Sequence, residues 1–173
     1  TEELPSCAFT PDAEYPTTYA EKGILHVRIS AALDAQVKPI SLICENAYNV
    51  VPAFASAVVD GVQYEAQGKA AHAMAPELGV NALLGLCGQL REKGVAEGFG
   101  IAFSDEPSGK LTINPSIAKV DAQSAELRCD IRIPVTFTDK QVVEAIAEKV
   151  APLGFTVENE YFQPPLYVEK DSP

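Results

Sequence analysis

Histidine is scarce in this sequence: His26 and His72 are the only two in 173 residues. A self-contained zinc hydrolase draws several His, Asp or Glu ligands to one point. Neither H-x-D nor H-E-x-x-H occurs, and the one Glu-Glu pair, Glu2-Glu3, stands at the start of the sequence. The chain taken alone is therefore not expected to hold a complete metal site. Cysteine is sparse too. Cys7, Cys44, Cys87 and Cys129 form no C-x-x-C pair, which excludes zinc-finger and dithiol redox motifs. With a normal core in prospect, no disulfide framework is needed. The four read as reduced, mostly buried thiols of a cytoplasmic protein. Basic residues are in deficit, 13 against 24 acidic, for a formal net charge of −11. A surface that acidic repels phosphate backbones and disfavours nucleic-acid binding. No apolar run approaches the ~20 residues of a membrane span, and Thr1-Glu2-Glu3-Leu4-Pro5 is acidic and polar. Neither a membrane partner nor a signal peptide is expected.

What is present is globular: 47% hydrophobic and 21% charged residues argue against disorder. Residues 1–16 are broken by Pro5, Pro11 and Pro16. Residues 24–30 alternate, with Leu25, Val27 and Ile29 on one face, and read as a half-buried strand. His26, on the polar face of that strand, reads as a surface residue. Ile40 to Cys44 reads as a short strand. Residues 55–72 form a hairpin around Asp60-Gly61, a dipeptide suited to a two-residue turn. A helix follows, opening at Pro76 and Glu77. Val80, Leu83, Leu84, Cys87 and Leu90 form its buried stripe and Gly94 stands at its end. Strands are expected over 99–103 and 111–118, around a Glu106-Pro107-Ser108-Gly109 turn. Leu127 to Ile133 alternates strictly, and Pro134 ends it. Thr138 and Gln141 form a capping box for a second helix that buries Val142, Val143, Ile146, Ala147 and Val150. Phe155 to Tyr161 alternates as a last strand. The class is α+β: a mainly antiparallel sheet with two main helices on one face. A weak internal echo, Asn49 to Ala57 against Asn114 to Arg132, each followed by a helix, raises the alternative of two repeated ferredoxin-like halves.

One stretch carries a family signature: Gly68-Lys69-Ala70-Ala71-His72-Ala73-Met74-Ala75-Pro76-Glu77-Leu78-Gly79-Val80-Asn81-Ala82. It resembles the lid, or dimerisation, domain of the two-metal aminoacylase and dipeptidase superfamily. Three further segments agree: Phe9-Thr10-Pro11-Asp12-Ala13-Glu14-Tyr15-Pro16 with Glu21-Lys22-Gly23, then Asn49-Val50-Val51-Pro52, and Pro165-Leu166-Tyr167-Val168-Glu169-Lys170-Asp171-Ser172-Pro173. Their order is similar to that of the bacterial dipeptidase V branch, whose lid is doubled within one chain. That branch carries a helical insert between its N-x-V-P and G-K-x-x-H strands, where this chain has only the Asp60-Gly61 turn.

The resemblance implies a lid excised from a larger enzyme. Residues 1–16 would be the stump of a catalytic domain, 17–163 the lid, and 164–173 the return. It implies that His72 donates a hydrogen bond to the oxyanion formed at the scissile carbonyl, that Asn49 shares that role, and that Arg132 grips the substrate's terminal carboxylate. Asp12 would ligate one of two zinc or manganese ions in the intact enzyme, with no metal expected in this fragment. Partners would be the catalytic domain and a dipeptide or acyl-amino acid. The residues alone leave each role a bland alternative: a capping histidine, a turn asparagine, a turn aspartate, and a surface arginine paired with Asp130. Lying on the outward face of its strand, Arg132 is expected to matter little for stability. Two other functions stay open: the lid of a related deacylase, such as an aminoacylase or desuccinylase, and an interaction module without chemistry.

Overall fold

The computed structural model describes residues 18–33, 40–91, 101 and 103–169. Within them the chain runs β1 (Ala20–Glu21), β2 (Gly23–Ala32), β3 (Ile40–Cys44), β4 (Phe54–Val59), β5 (Val62–Gln67), α1 (Ala82–Arg91), β6 (Ser104–Asp105), β7 (Gly109–Lys110), β8 (Thr112–Val120), β9 (Ser124–Ile133), α2 (Asp139–Val150), β10 (Thr156–Gln163) and β11 (Leu166–Tyr167). Seven strands form one sheet in the order β10-β2-β9-β8-β3-β4-β5, antiparallel at every step. β1 pairs with β11, so the segments leading into and out of the sheet run side by side.

Directly paired residues on neighbouring antiparallel strands point to the same side of a sheet. Following the register from Ile29 to Leu127, then to Ala118 and Cys44, keeps the apolar side chains on one face from β2 to β3. Leu42 with Ala57 and Ala55 with Ala66 continue that face to β5. Both helices cover it. α2 lays Val142, Ile146 and Val150 against Leu25, Val27, Cys129 and Ile131. α1 lays Ala82, Leu83 and Leu86 against Ala55, Ala57, Ala66 and Ala118. Leu127 touches both clusters and joins them. Each fully buried Leu or Ile contributes about 1.5–3 kcal/mol relative to exposure, which is why the strict alternation of β2 and β9 decides their orientation. Among the described residues the opposite face carries no helix.

The structure is thus α+β with both helices on one side of an antiparallel sheet. The order of hairpin then helix occurs twice, as β4-β5-α1 and as β8-β9-α2, and each half of the sheet carries one helix among the described residues. Asp60 and Gly61 have φ of 51° and 77°, the pair of positive values a tight two-residue turn requires. The capping box of α2 is formed: Gln141 N–H donates to the Thr138 hydroxyl, and Thr138 N–H to Gln141 Oε1.

The first helix differs from expectation. Pro76–Leu78 makes only a 3₁₀ turn. The α-helix starts at Ala82, with Asn81 Oδ1 accepting from Leu84 N–H at 3.1 Å. Val80 pairs as a strand with Lys69 instead, which removes it from the helical face. The buried stripe is Ala82, Leu83 and Leu86, while Val80 and Leu84 are exposed. Of the cysteines, Cys44 and Cys129 are buried and Cys87 is exposed; Cys7 lies outside the described residues. So do Gly94 and most of the strand expected over 99–103.

Candidate functional site

The G-K-x-x-H segment is held on both sides. On one side it runs along residues 49–53: Gly68 N–H donates to Ala53 O, Val51 N–H to Ala71 O and Ala73 N–H to Asn49 O, all at 2.8–2.9 Å. On the other, Lys69 and Val80 exchange both backbone bonds at 2.8 and 2.9 Å. The approach is close. A Cβ on Gly68 would lie 2.0 Å from Val80 O, and one on Gly79 2.8 Å from Lys69 O. Glycine at these two motif positions is what allows the strands to touch.

This pairing sets Asn49 and His72 on adjacent strands, since Val50 and His72 form a backbone bridge. Both side chains are exposed. His72 Nδ1 accepts the Met74 N–H at 3.1 Å, which places the proton of the neutral imidazole on Nε2 and leaves that nitrogen as a donor. A cleft of about 430 Å³ opens beside the pairing, lined by Ile43, Glu45, Asn46, Pro52, Phe54 and Ala70 among others.

Three asparagines fix the loop that carries Asn49. Asn46 donates to Val50 O at 3.3 Å. Asn114, 1% exposed, donates to Val50 O at 3.0 Å and accepts from Asn81 at 3.0 Å. Asn81 also donates to Pro115 O at 2.9 Å, so one side chain ties β8 to the start of α1. A buried amide with its hydrogen bonds made stiffens its surroundings, whereas an unsatisfied one is costly.

Arg132 lies on the helix-free face of β9, between Ile24 and Thr112 in the ladder. It is not a loose surface side chain. Its Nε and Nη2 donate to Asp130 Oδ1 and Oδ2 at 2.8 and 2.9 Å, and its side chain is 13% exposed against 0% for Asp130. The expectation that Arg132 matters little for stability is therefore not supported by the geometry: removing it would strand a buried carboxylate. His26 is no plain surface residue either. Its ring stacks on Tyr48 at 4.1 Å, contacts Tyr161 at 5.3 Å, and sets Nε2 3.7 Å from Asp130 Oδ2. Burial lowers its pKa and the Asp130 charge opposes the shift. Beyond it, Arg28 pairs with Glu158, Arg128 with Glu126, and the Tyr48 hydroxyl donates to Glu160. Burial and Glu160 raise the Tyr48 pKa, which keeps that hydroxyl a donor.

The loop bearing Asn49 is thus connected to the Arg132 region through Asn114, the ladder partner of Asp130, and through Tyr48 on His26. Asp12 lies outside the described residues. Among the described residues no three His, Cys, Asp or Glu side chains are grouped to hold a metal ion. Asn114 and Tyr48 escaped the sequence reading as site residues, and Asp130 entered it only as the partner of a surface Arg132. The one signal available was Asp130, two residues before Arg132 and therefore on the same face of the strand.

A sheet with both helices on one side and this braced motif beyond its β5 edge defines an α+β module. Residues 58–156 match the family described as the peptidase dimerisation domain, of the M20 peptidases; the chain belongs to that family. Three similar proteins bear the name "Putative dipeptidase". They come from Staphylococcus saprophyticus at 29% identity, Staphylococcus aureus strain bovine RF122 at 28%, and Staphylococcus haemolyticus at 27%. Each alignment covers 100% of this chain and 49% of the relative, so the chain spans about half their length. Each runs over 230 positions against 173 residues here, which leaves 57 positions of the alignment without a residue of this chain. No helix among the described residues is long and apolar enough to cross a membrane.

Proposed function

We propose that this chain is the lid of a metal-dependent dipeptidase, of the dipeptidase V type, closing over an active site in the remainder of the protein. His72 donates Nε2–H to the oxyanion of the scissile carbonyl, with Asn49 beside it. Arg132 grips the terminal carboxylate of the dipeptide. The observation that carries the reading is the His72 tautomer: a Met74 N–H on Nδ1 leaves a donor facing outward from a braced strand. A preoriented donor aimed at developing charge is the arrangement that stabilises such a transition state. The side-by-side β1 and β11 suit a domain inserted into another, with both connections at one place. We assign the 57 extra positions of the relatives to an insert at the Asp60-Gly61 turn.

Two metal ions, zinc or manganese, held outside the described residues and with Asp12 as one ligand, would supply the Lewis acid that polarises the carbonyl. The described cysteines are all free, in keeping with a cytoplasmic setting, and the net charge of −11 argues against a nucleic-acid partner. The test is His72→Ala in the full-length protein, assayed on dipeptides and on N-acyl-amino acids. We expect kcat on dipeptides to fall by roughly 10²–10³, with metal content unchanged. Loss of bound metal would make His72 a ligand and not a donor. Turnover of acyl-amino acids alone would move the protein to the deacylases.

A further inference from the structure

We infer that Asp130 is the positioning residue of the carboxylate clamp, setting which edge of the Arg132 guanidinium faces the substrate. This rests on the reading of Arg132 as that clamp. A guanidinium carries five N–H donors in a rigid plane. Asp130 occupies the Nε–H and one N–H of Nη2, at 2.8 and 2.9 Å. Three donors remain, two on Nη1 and one on Nη2; one from each nitrogen forms the end-on edge that can take a second carboxylate bidentately. Asp130 can do this because it cannot move. It is 0% exposed, it sits in β9 between β2 and β8, and Asn114, its ladder partner, is itself locked by bonds to Asn81 and Val50. His26 Nε2 lies 3.7 Å from Oδ2, the oxygen that accepts from Arg132 Nη2. A second observation comes from the neighbouring strand. Thr112, paired with Arg132 in the ladder, has a buried hydroxyl without a hydrogen-bond partner. Buried polar atoms are rarely left unmatched, and a carboxylate seated on the end-on edge would bring an acceptor to this side of the strand.

The side-on pair also restrains the strength of the clamp. Asp130 partly offsets the charge of Arg132, so recognition depends on the geometry of the fork more than on net attraction. The inference therefore separates orientation from charge. Asp130→Asn raises the net positive charge beside the substrate yet should weaken binding, because an Asn amide can accept only one of the two N–H bonds and the fork is released.

The experiment uses the full-length protein and measures kcat and KM on a dipeptide and on its C-terminal amide for Asp130→Asn, Arg132→Ala and the double variant. For Asp130→Asn the expected result is a KM for the dipeptide raised roughly 10-fold with kcat within about twofold, and an unchanged amide. In the Arg132→Ala background the same change should add nothing to the acid-over-amide preference, since residues acting through one another are not additive. Should Asp130→Asn fail to fold, Asp130→Glu keeps the charge and is expected to show an intermediate KM. If Arg132→Ala abolishes the preference for the acid while the folded Asp130 variant keeps it, the positioning role is refuted and the clamp survives. If Arg132→Ala lowers acid and amide equally, the clamp itself is wrong, and the inference goes with it.

Discussion

Replacing Gly68 with alanine should unlatch the His72 strand. The added Cβ would lie 2.0 Å from Val80 O and 2.9 Å from Ala82 N, against ordinary contacts of 3.4 Å or more. Both obstacles are backbone, so no rotamer can yield, and one strand must retreat by an ångström or more. The bonds closest to the insertion are the two that Lys69 and Val80 exchange. Losing them costs about 1 kcal/mol each, and backbone strain in the tightly packed surroundings adds a similar amount. The total is about 2–4 kcal/mol. At about 2–4 °C per kcal/mol for a chain of this size, Tm should drop by roughly 5–15 °C in thermal unfolding followed by circular dichroism. Gly88→Ala is the internal control. Gly88 lies inside α1, and nothing comes within 4 Å of its hypothetical Cβ. The helix should gain about 0.5–1 kcal/mol there, and Tm should rise. The two substitutions are chemically identical and opposite in sign. A Gly68→Ala protein that melts within a degree of the parent would refute the close approach, and with it the account of how His72 is held.

Further expectations follow from the same geometry. Thr138→Ala removes the side-chain half of the α2 capping box and should cost about 1 kcal/mol, read from denaturant midpoints at unchanged m; a change under about 0.3 kcal/mol would contradict the cap. Among the described cysteines, thiol labelling at pH 8 should reach Cys87 first, because its side chain is the exposed one, although partial burial raises its pKa as well. Burial pushes Cys44 up to about 11 and Cys129 up to about 12, and only the thiolate reacts. Labelling of Cys129 at the rate of Cys87 in the folded protein would contradict the packing beneath α2.

The strands and α2 were legible because each announces itself locally. β9 alternates throughout and β2 does so from Leu25 to Ser30, and α2 has its capping box and a spacing of four between Val142, Ile146 and Val150. α1 was misread at its start for a physical reason. Val80 has the right helical spacing from Leu83, but its backbone is already committed to Lys69, a partner 11 residues back that periodicity cannot see. The Gly68 and Gly79 pair contained that information, since two glycines flanking a bridge permit close approach, yet glycine alone does not say to what. The polar face was the least legible. Alternation correctly put His26, Asp130 and Arg132 on the side away from the helices, and from that it follows only that they avoid one core. It does not follow that they are solvated. The loop 46–50 folds over that face through Asn114, a contact across more than 60 residues, and turns an outward aspartate into a fully buried one.

That burial changes what Arg132 has to be. An arginine on a bare sheet face could bind a carboxylate as a flexible cation, at a cost in side-chain entropy for each event. An arginine whose inner edge is already engaged loses that freedom on folding instead, and offers a fixed planar edge afterwards. The same logic holds at the other end of the network, where the Met74 N–H fixes the His72 proton before any substrate arrives. In both places a backbone or buried group occupies one side of a functional side chain and leaves its other side committed in direction. The proposed lid would need this property, because its groups would have to meet the reacting atoms already oriented. It also explains why the positioning bonds gather around residues 46–50: that loop touches the His72 strand through Val50, and the Arg132 strand through Asn114 and the His26–Tyr48 stack. On the proposed reading, that one segment would set the relation between His72 as a donor for the carbonyl oxygen and Arg132 as a fork for the terminal carboxylate, the two points whose separation would distinguish a dipeptide from anything longer.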